Sequence, residues 1–354
     1  MGIGLYTVFI TALSVTHTFC DFLPAIFISS PDAESALAVI QGRSAVKQGR
    51  GLEMFQYTVY GGLFSLLPVL IISGLSLIYL EDIYSYLEVL MPYILIFFLF
   101  FIIFDSDQKF NSFLVVLFAG ALGIISFESN VNQSYVFIPI FSGLFAFPAV
   151  LRALKEDFQV PEQLSSDPDK LEAFQGSVAG SLAGFLAGVI PGIGGAVSTT
   201  FVSPLMDASG KRFLSAMGAV NTTDIIFSIF TLHILGNARS GVSVALQFFS
   251  TEVDLSFIIL VTLLAVFPSA FLALKISKVY VRFLKFFPIY KVLIAVLVFL
   301  TAITVYMTGF TGLLILLTSV VIGEAALKSE NRRACMAVLL VPALLFFTGI
   351  GAFI

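Results

Sequence analysis

Gly188-Val189-Ile190-Pro191-Gly192-Ile193-Gly194-Gly195-Ala196-Val197-Ser198-Thr199-Thr200 is the stretch on which the fold turns. It sits in the apolar run 174–206, long enough to reach a bilayer core, yet a proline and three glycines within five residues interrupt any continuous helix there. Irregular backbone at membrane depth survives only where other helices cover it or where it lines a cavity, because unpaired amides and carbonyls are costly in hydrocarbon. Downstream, Ser198, Thr199 and Thr200 begin the next helical run. Free N–H groups at a helix start, with short hydroxylated side chains beside them, attract anions. A kinked helix with small residues for tight packing is the plainer alternative, but one kink does not need Pro-Gly-x-Gly-Gly.

The composition sets the environment. Of 354 residues 58% are hydrophobic and 11% charged, which excludes a soluble domain and predicts an all-α, polytopic integral membrane protein in the cell membrane. Thirty-nine phenylalanines and no tryptophan leave Tyr and Phe to form any interfacial belt. The net charge of −4, with basic residues scattered through short loops, excludes nucleic acid as a partner. Cys20 and Cys335 lie far apart in apolar segments and read as small core residues, with no metal-ligand spacing. No catalytic set, HExxH helix or nucleotide loop is visible, so an enzyme and a bound cofactor are not expected.

Apolar runs and loop charges give a topology. Basic residues mark the loops of Arg43, Lys47 and Arg50; of Arg152, Lys155 and Lys170; of Lys211 and Arg212; of Lys275 to Lys291; and of Lys328, Arg332 and Arg333. The connections near 79–88, 128–134, 250–256 and 309–311 contain none. The positive-inside rule makes the first set cytoplasmic and the second external. The alternation stays regular if 174–206 enters and leaves on the cytoplasmic side, as a re-entrant hairpin with Pro191-Gly192 at its tip. The expected architecture is about ten transmembrane helices plus that hairpin. The polar connection 151–173 is expected to be a solvated linker between halves 1–150 and 174–354.

The halves resemble one another. A constant offset of 205 pairs Thr18 with Thr223, Phe22 with Phe227, Ala33 with Ala238, Ser35 with Ser240 and Val39 with Val244, while loop charge inverts. Like pattern and opposite orientation are the signature of an inverted-topology repeat. The hairpin's counterpart would lie upstream of Met1, so the first half is read as lacking it.

Polar residues at membrane depth mark candidate sites. The second half offers Asn221-Thr222-Thr223-Asp224; the first offers Thr16-His17-Thr18 and Asp21. A site between repeats would draw on both. His17 and Asp21, four apart on one helix face, could instead satisfy each other. His233 is solitary and reads as structural. Ser30 or Asp32 and Asn237 are candidate helix caps, and Arg239 could neutralise a carboxylate. The candidate anion site is therefore Gly192, Gly194, Gly195, Ser198, Thr199, Thr200, Asn221, Thr222, Thr223, His17 and Arg239. Asp224, Asp21 and Asn221 are the candidates for a coupling sodium ion or proton.

Two stretches carry a family resemblance. Thr16-His17-Thr18-Phe19-Cys20-Asp21-Phe22-Leu23-Pro24 through Gly51, with Gln41-Gly42-Arg43 and Gln48-Gly49-Arg50-Gly51, is the first; Gly184 to Ser198, with Ile190-Pro191-Gly192-Ile193-Gly194-Gly195, is the second. The sequence resembles the large membrane subunit of the tripartite tricarboxylate transporters, the TctA family, in its archaeal-type branch. The resemblance implies ion-coupled uptake of a small organic anion, a di- or tricarboxylate, with a small membrane subunit and an extracytoplasmic binding protein; a homodimer is a further assembly to expect. The family normally carries a Pro-Gly hairpin in both halves. Two other readings stand beside transport of carboxylates: a translocase of a polyprenyl-phosphate, whose family has a similar Pro-Gly hairpin, and a non-transporting membrane subunit or scaffold.

Overall fold

The computed structural model describes the chain except residues 1–2, 29–34, 36, 134, 156–160, 165, 191–193, 203–209, 237, 239, 248–254, 287 and 350–354. Every regular element among the described residues is helical. In chain order these are α1 (Ile3–Cys20), α2 (Phe22–Ile28), α3 (Ala38–Lys47), α4 (Gly51–Phe64), α5 (Leu66–Phe104), α6 (Lys109–Phe127) and α7 (Phe137–Phe141). A π-helical turn, Ser142–Ala146, leads into α8 (Phe147–Lys155). Then come α9 (Lys170–Val189), α10 (Gly195–Val202), α11 (Lys211–Leu235), α12 (Gly241–Gln247), α13 (Leu255–Phe286) and α14 (Ile289–Lys328). A short 3₁₀ turn, Arg332–Met336, precedes α15 (Ala337–Thr348).

Seven stretches among the described residues are long and apolar enough to cross a bilayer, and Val89–Phe104 is a shorter apolar helix. Their outer faces expose Leu70, Ile71, Phe97, Phe100, Phe271 and Phe299, a surface that lipid covers and water would not. The chain is a multi-pass membrane protein. Two expected connections differ in outcome. Residues 79–88 are helical, part of the continuous 39-residue α5, because Tyr79 to Glu88 contain no glycine or proline and the acidic pair Glu81-Asp82 is no helix breaker. The stretch 309–311 is a true interruption: α14 loses helical geometry at Gly309, whose φ of 65° and ψ of −156° suit only glycine.

At the centre, α11 is buried along most of its length between α9 and α4. Gly176, Gly180, Gly184 and Gly188 form one stripe of α9, four residues apart. A Cβ at any of them would come closer than 3.0 Å to the backbone of α11, meeting in turn the carbonyls of Arg212, Ala216, Val220 and Asp224. The pairing advances in step along both chains, so the two helices run parallel. Hydroxyls of α11 fasten both ends: Ser215 Oγ donates to the Ala173 carbonyl at 2.5 Å, and Thr231 Oγ1 to that of Gly188 at 2.9 Å. On the opposite side, Gly61 and Gly218 bring α4 equally close, against the carbonyls of Ser215 and Thr58.

A polar cluster ties together the starts of these three helices. Arg50 forks onto Glu53 with N···O distances of 2.8 and 3.2 Å. Lys211 Nζ reaches Glu53 Oε1 at 3.4 Å and Glu172 Oε2 at 3.8 Å. Tyr57 donates to Glu172 at 3.3 Å and accepts from the Asp169 amide at 2.9 Å, while Asp169 caps α9 through the amide of Leu171 at 2.8 Å. The described linker residues 161–170 are mostly exposed, and the linker is also anchored at two points. Gln163 accepts from the Gly51 amide at 2.7 Å and donates to the Val46 carbonyl at 3.0 Å, and Leu164 donates to Gly49 at 2.8 Å. Its polar side chains find backbone partners at the α3–α4 turn, which composition could not reveal.

Gly180→Val should destabilise the protein by about 1–3 kcal/mol or prevent folding, since a side chain there must push α11 away. Gly74→Val, on α5 with nothing within 4 Å of the added Cβ, should be near neutral. Thermal unfolding of the detergent-solubilised variants checks the contrast.

Candidate functional site

The break in the apolar hairpin lies against the middle of α11. Helix α9 ends at Val189, where Ile190 turns to extended backbone with φ −88° and ψ 120°, and α10 begins at Gly195. Val202, at the far end of α10, packs with Ala183, Ala216 and Ala179, so α10 runs back along α9 toward the side from which it came. Helix α9 begins, and α10 ends, toward the side where α11 begins.

At the start of α10 a Cβ placed on Gly195 would lie 3.3 Å from Val220 Cγ1, 3.6 Å from Asn221 Oδ1 and 3.7 Å from Asp224 Oδ2. The two polar side chains, three residues apart, share the α11 face that looks at this helix start. About two turns further along α11, the Thr231 hydroxyl donates to the Gly188 carbonyl near the end of α9. Ile190 and Gly195, which flank the break, are buried, while Gly194 is exposed.

The four-residue polar run does not act as a block. Thr222 points elsewhere: its Oγ1 donates to the Gly218 carbonyl at 3.1 Å and faces Gly62 and the Phe19 ring. Thr223 packs its Cβ and methyl against Gly184. Successive helix positions turn by about 100°, so the run wraps round α11 and only Asn221 and Asp224 meet α10. Thr222 is therefore no part of the cluster at the break.

The hydroxyls of α10 also sit differently from expectation. Helix resumes at Gly195, so Ser198, Thr199 and Thr200 lie within its first turns and not at its start, and the irregular stretch is shorter than Pro191 to Ser198. Ser198 N–H is already bonded to the Gly194 carbonyl at 3.0 Å, and Thr199 Oγ1 donates to that of Gly195 at 2.7 Å. Of Thr200 only the backbone is described, and Gly192, Arg239, Asn237, Ser30 and Asp32 lie outside the described residues. Gly194 has open space around its Cβ position.

Several buried polar atoms near the break have no hydrogen-bond partner among the described residues: Ser198 Oγ, the Asn221 amide nitrogen and Thr223 Oγ1. The Asp224 carboxylate, also buried, forms no ion pair among them. Buried polar groups are ordinarily satisfied, and each exception asks for an explanation, an absent ligand or water among them. The first-half cluster makes its described contacts elsewhere. His17 Nδ1 is 2.9 Å from Asp21 Oδ1, the pairing of residues four apart on one face, with the His17 side chain 69% exposed. Thr16 bonds Ser269 on α13 at 2.8 Å. His233 holds the Ile229 carbonyl at 3.1 Å. The glycine stripe of α9 went unread in the sequence, although its spacing of four is plain there.

Residues 3–338 match the model of the tripartite tricarboxylate transporter TctA family, and the chain belongs to that family. An uncharacterised protein of Methanocaldococcus jannaschii is 27% identical over 362 residues, covering 98% of this chain and 89% of the relative. No solved structure matches the chain. The family is one of transporters and not of enzymes, and it works in a tripartite transporter with other subunits and a binding protein.

Two hydroxyls separate packing from binding. Thr231→Val strips the Gly188 carbonyl of its partner and should cost about 1–3 kcal/mol. Ser198→Ala removes a buried hydroxyl that has no partner among the described residues and should leave the ligand-free protein as stable or about 1 kcal/mol more so. Unfolding midpoints of both, measured without added anion, test this.

Proposed function

We propose that this chain is the membrane subunit that carries an organic anion, a di- or tricarboxylate, coupled to sodium or protons, with its site between the start of α10 and the Asn221–Asp224 face of α11. The observation behind the reading is the placement of the Asp224 carboxylate beside Gly195 at the start of α10. A helix start with free amides favours an anion. Here the protein already has one, buried and without an ion pair among the described residues.

That arrangement supplies a reason for coupling. An ionised Asp224 and a substrate carboxylate would compete for the same amides and repel each other, the more so in surroundings of low dielectric. A sodium ion held by Asp224 and the Asn221 oxygen, or a proton on Asp224, removes the conflict and lets the anion take the helix start. Each ligand then raises the affinity for the other, as linkage requires. The inverted repeat belongs to the same proposal, as the means by which two halves rock about the site. So do a small membrane subunit and an extracytoplasmic binding protein as this chain's own partners.

Uptake into proteoliposomes holding this chain with its partner membrane subunit tests the reading. Labelled di- and tricarboxylates should accumulate only with an imposed sodium or proton gradient. Asp224→Asn should abolish the cation dependence while changing anion affinity at saturating cation less than about threefold, a cost under 1 kcal/mol. Gly195→Val should do the reverse and lower anion affinity about tenfold, since its side chain fills the approach to the amides. Equal losses of both properties in two folded variants would show that these residues only hold the bundle together. Transport of a lipid-linked phosphate, or of nothing, would replace the proposed substrate.

A further inference from the structure

The start of α6 lies beside the end of α14. Asn331, just beyond α14, donates through Nδ2 to the Ser112 hydroxyl and to the Ile102 carbonyl, each at 2.9 Å, which holds the two helix ends at one level. Between these helices runs a groove with a volume of about 710 Å³. Its lining is divided along its length. Gln108, Asn111, Lys328 and Ser329 belong to the fastened end, whereas from Leu114 to Ile125 on α6 and from Val321 to Ala325 on α14 every lining residue is apolar. Thr318, further from that end, returns its hydroxyl to the Leu314 carbonyl of its own helix. Two small lining residues, Ala121 and Ala325, leave the space open beside exposed Phe118, Ile125 and Val321.

The polar end carries one uncommitted charge. Asn111 Nδ2 donates to Gln108 Oε1 at 2.7 Å, and Ser329 Oγ to the Ala326 carbonyl at 3.1 Å, so these side chains find partners locally. Lys328 is exposed and has neither an ion pair nor a hydrogen bond among the described residues. Nearby Arg333 is paired instead, with Asp105 at 2.8 Å. The lining thus holds one cation and no carboxylate; Asp107 and Glu330 are not part of it. The start of α6 adds its positive dipole end at the same level.

An amphiphile with an anionic head and an apolar tail complements this division. At helical rise the apolar lining from Leu114 to Ile125 is about 17 Å long, about the depth of one leaflet in a hydrocarbon core about 30 Å thick. A helix about 10 Å across would fill roughly 1,300 Å³ over that length, so a partner helix could only lie over the groove, whereas an acyl chain is thin enough to sink into it. We infer that the groove seats a phospholipid of net negative charge, with an acyl chain between α6 and α14 and its headgroup phosphate at Lys328. The basic loop after α14 places this lipid in the cytoplasmic leaflet by the charge rule that oriented the spans.

The test uses the full chain in an uncharged detergent at constant ionic strength. Unfolding midpoints are followed against phosphatidylglycerol, against phosphatidylcholine with the same chains, and against glycerol 1-phosphate, a headgroup without a tail. Phosphatidylglycerol should raise the midpoint saturably, at a half-saturating fraction about fivefold lower than phosphatidylcholine, and glycerol 1-phosphate should not shift it. Lys328→Gln breaks no contact among the described residues, so it should fold, and it should raise the phosphatidylglycerol value about fivefold while leaving that of phosphatidylcholine unchanged. Ala325→Phe, which fills the groove from an exposed position, should lose the shift with both lipids; if it does not fold, Ala121→Phe takes its place. The proposal is overturned if the two lipids act alike, if Lys328→Gln leaves the preference intact, or if glycerol 1-phosphate acts as well as the lipid. It is equally overturned if the filled groove keeps the shift, for the lipid would then sit elsewhere. No shift with any probe overturns it too and leaves the groove to a protein partner.

Discussion

The parallel contact of α9 with α11 is the constraint on which the rest of the structure depends. Between membrane helices there is no hydrophobic gain to drive association, because lipid tails are as apolar as side chains. What holds them is the number of atoms brought into contact and the hydrogen bonds across the seam. Four glycines in register let the backbone of α9 lie on the carbonyls of α11, and the hydroxyls of Ser215 and Thr231 close the seam at its two ends. The seam runs nearly to the end of α9. Gly188, one residue before the end of α9, packs on the backbone carbonyl of Asp224.

The charged cluster at the other end follows from the same register. Because α9 and α11 start level, Glu172 and Lys211 come within reach, and Glu53 joins them because α4 starts there too. Ion pairs at a partly exposed helix end add only modest stability by themselves. Their effect is on alternatives: a shift of α9 by one turn against α11 would separate Glu172 from Lys211 and Tyr57 together. Packing sets the register, and the polar end discriminates against its neighbours.

Much of this was legible in the sequence, and the failures have physical causes. Pro191 and three glycines announced an interruption of the helix, which the structure has between Val189 and Gly195. The polar run at Asn221 announced the buried partner, but reading it as four equivalent residues ignored helical rotation, which turns Thr222 to Phe19 while Asn221 and Asp224 meet Gly195. Ser198 and Thr199 were placed at a helix start that lies three residues earlier, at Gly195, because glycine signals a break more readily than the first turn after it. The connection at 79–88 failed because loop charge reports sidedness and says nothing of backbone conformation. The groove between α6 and α14 was out of reach altogether, as Asn111 and Lys328 come to one end of it only through tertiary contacts over a long separation. No local pattern encodes their meeting.

A carboxylate at a helix start is ordinarily a stabilising cap. At Asp224 the carboxylate comes from another helix, lies buried, and stands beside Gly195 at the start of α10. As a pure cap it would be a poor device, for Ser or Asp at the preceding position would do the same with less desolvation. The position makes sense if the charge must change during a cycle. In the proposed cycle an ionised Asp224 would occupy the helix start and hold α10 to α11. A neutralised Asp224 would weaken that hold and leave the helix start to a foreign anion. The anion would then take over the contact that the carboxylate gives up, so loaded and unloaded states both keep the helix start satisfied. An anion arriving alone would meet an unneutralised carboxylate, and a cation alone would leave the amides bare. Either half-loaded state is the less stable one, which is the condition a coupled carrier needs in order not to leak.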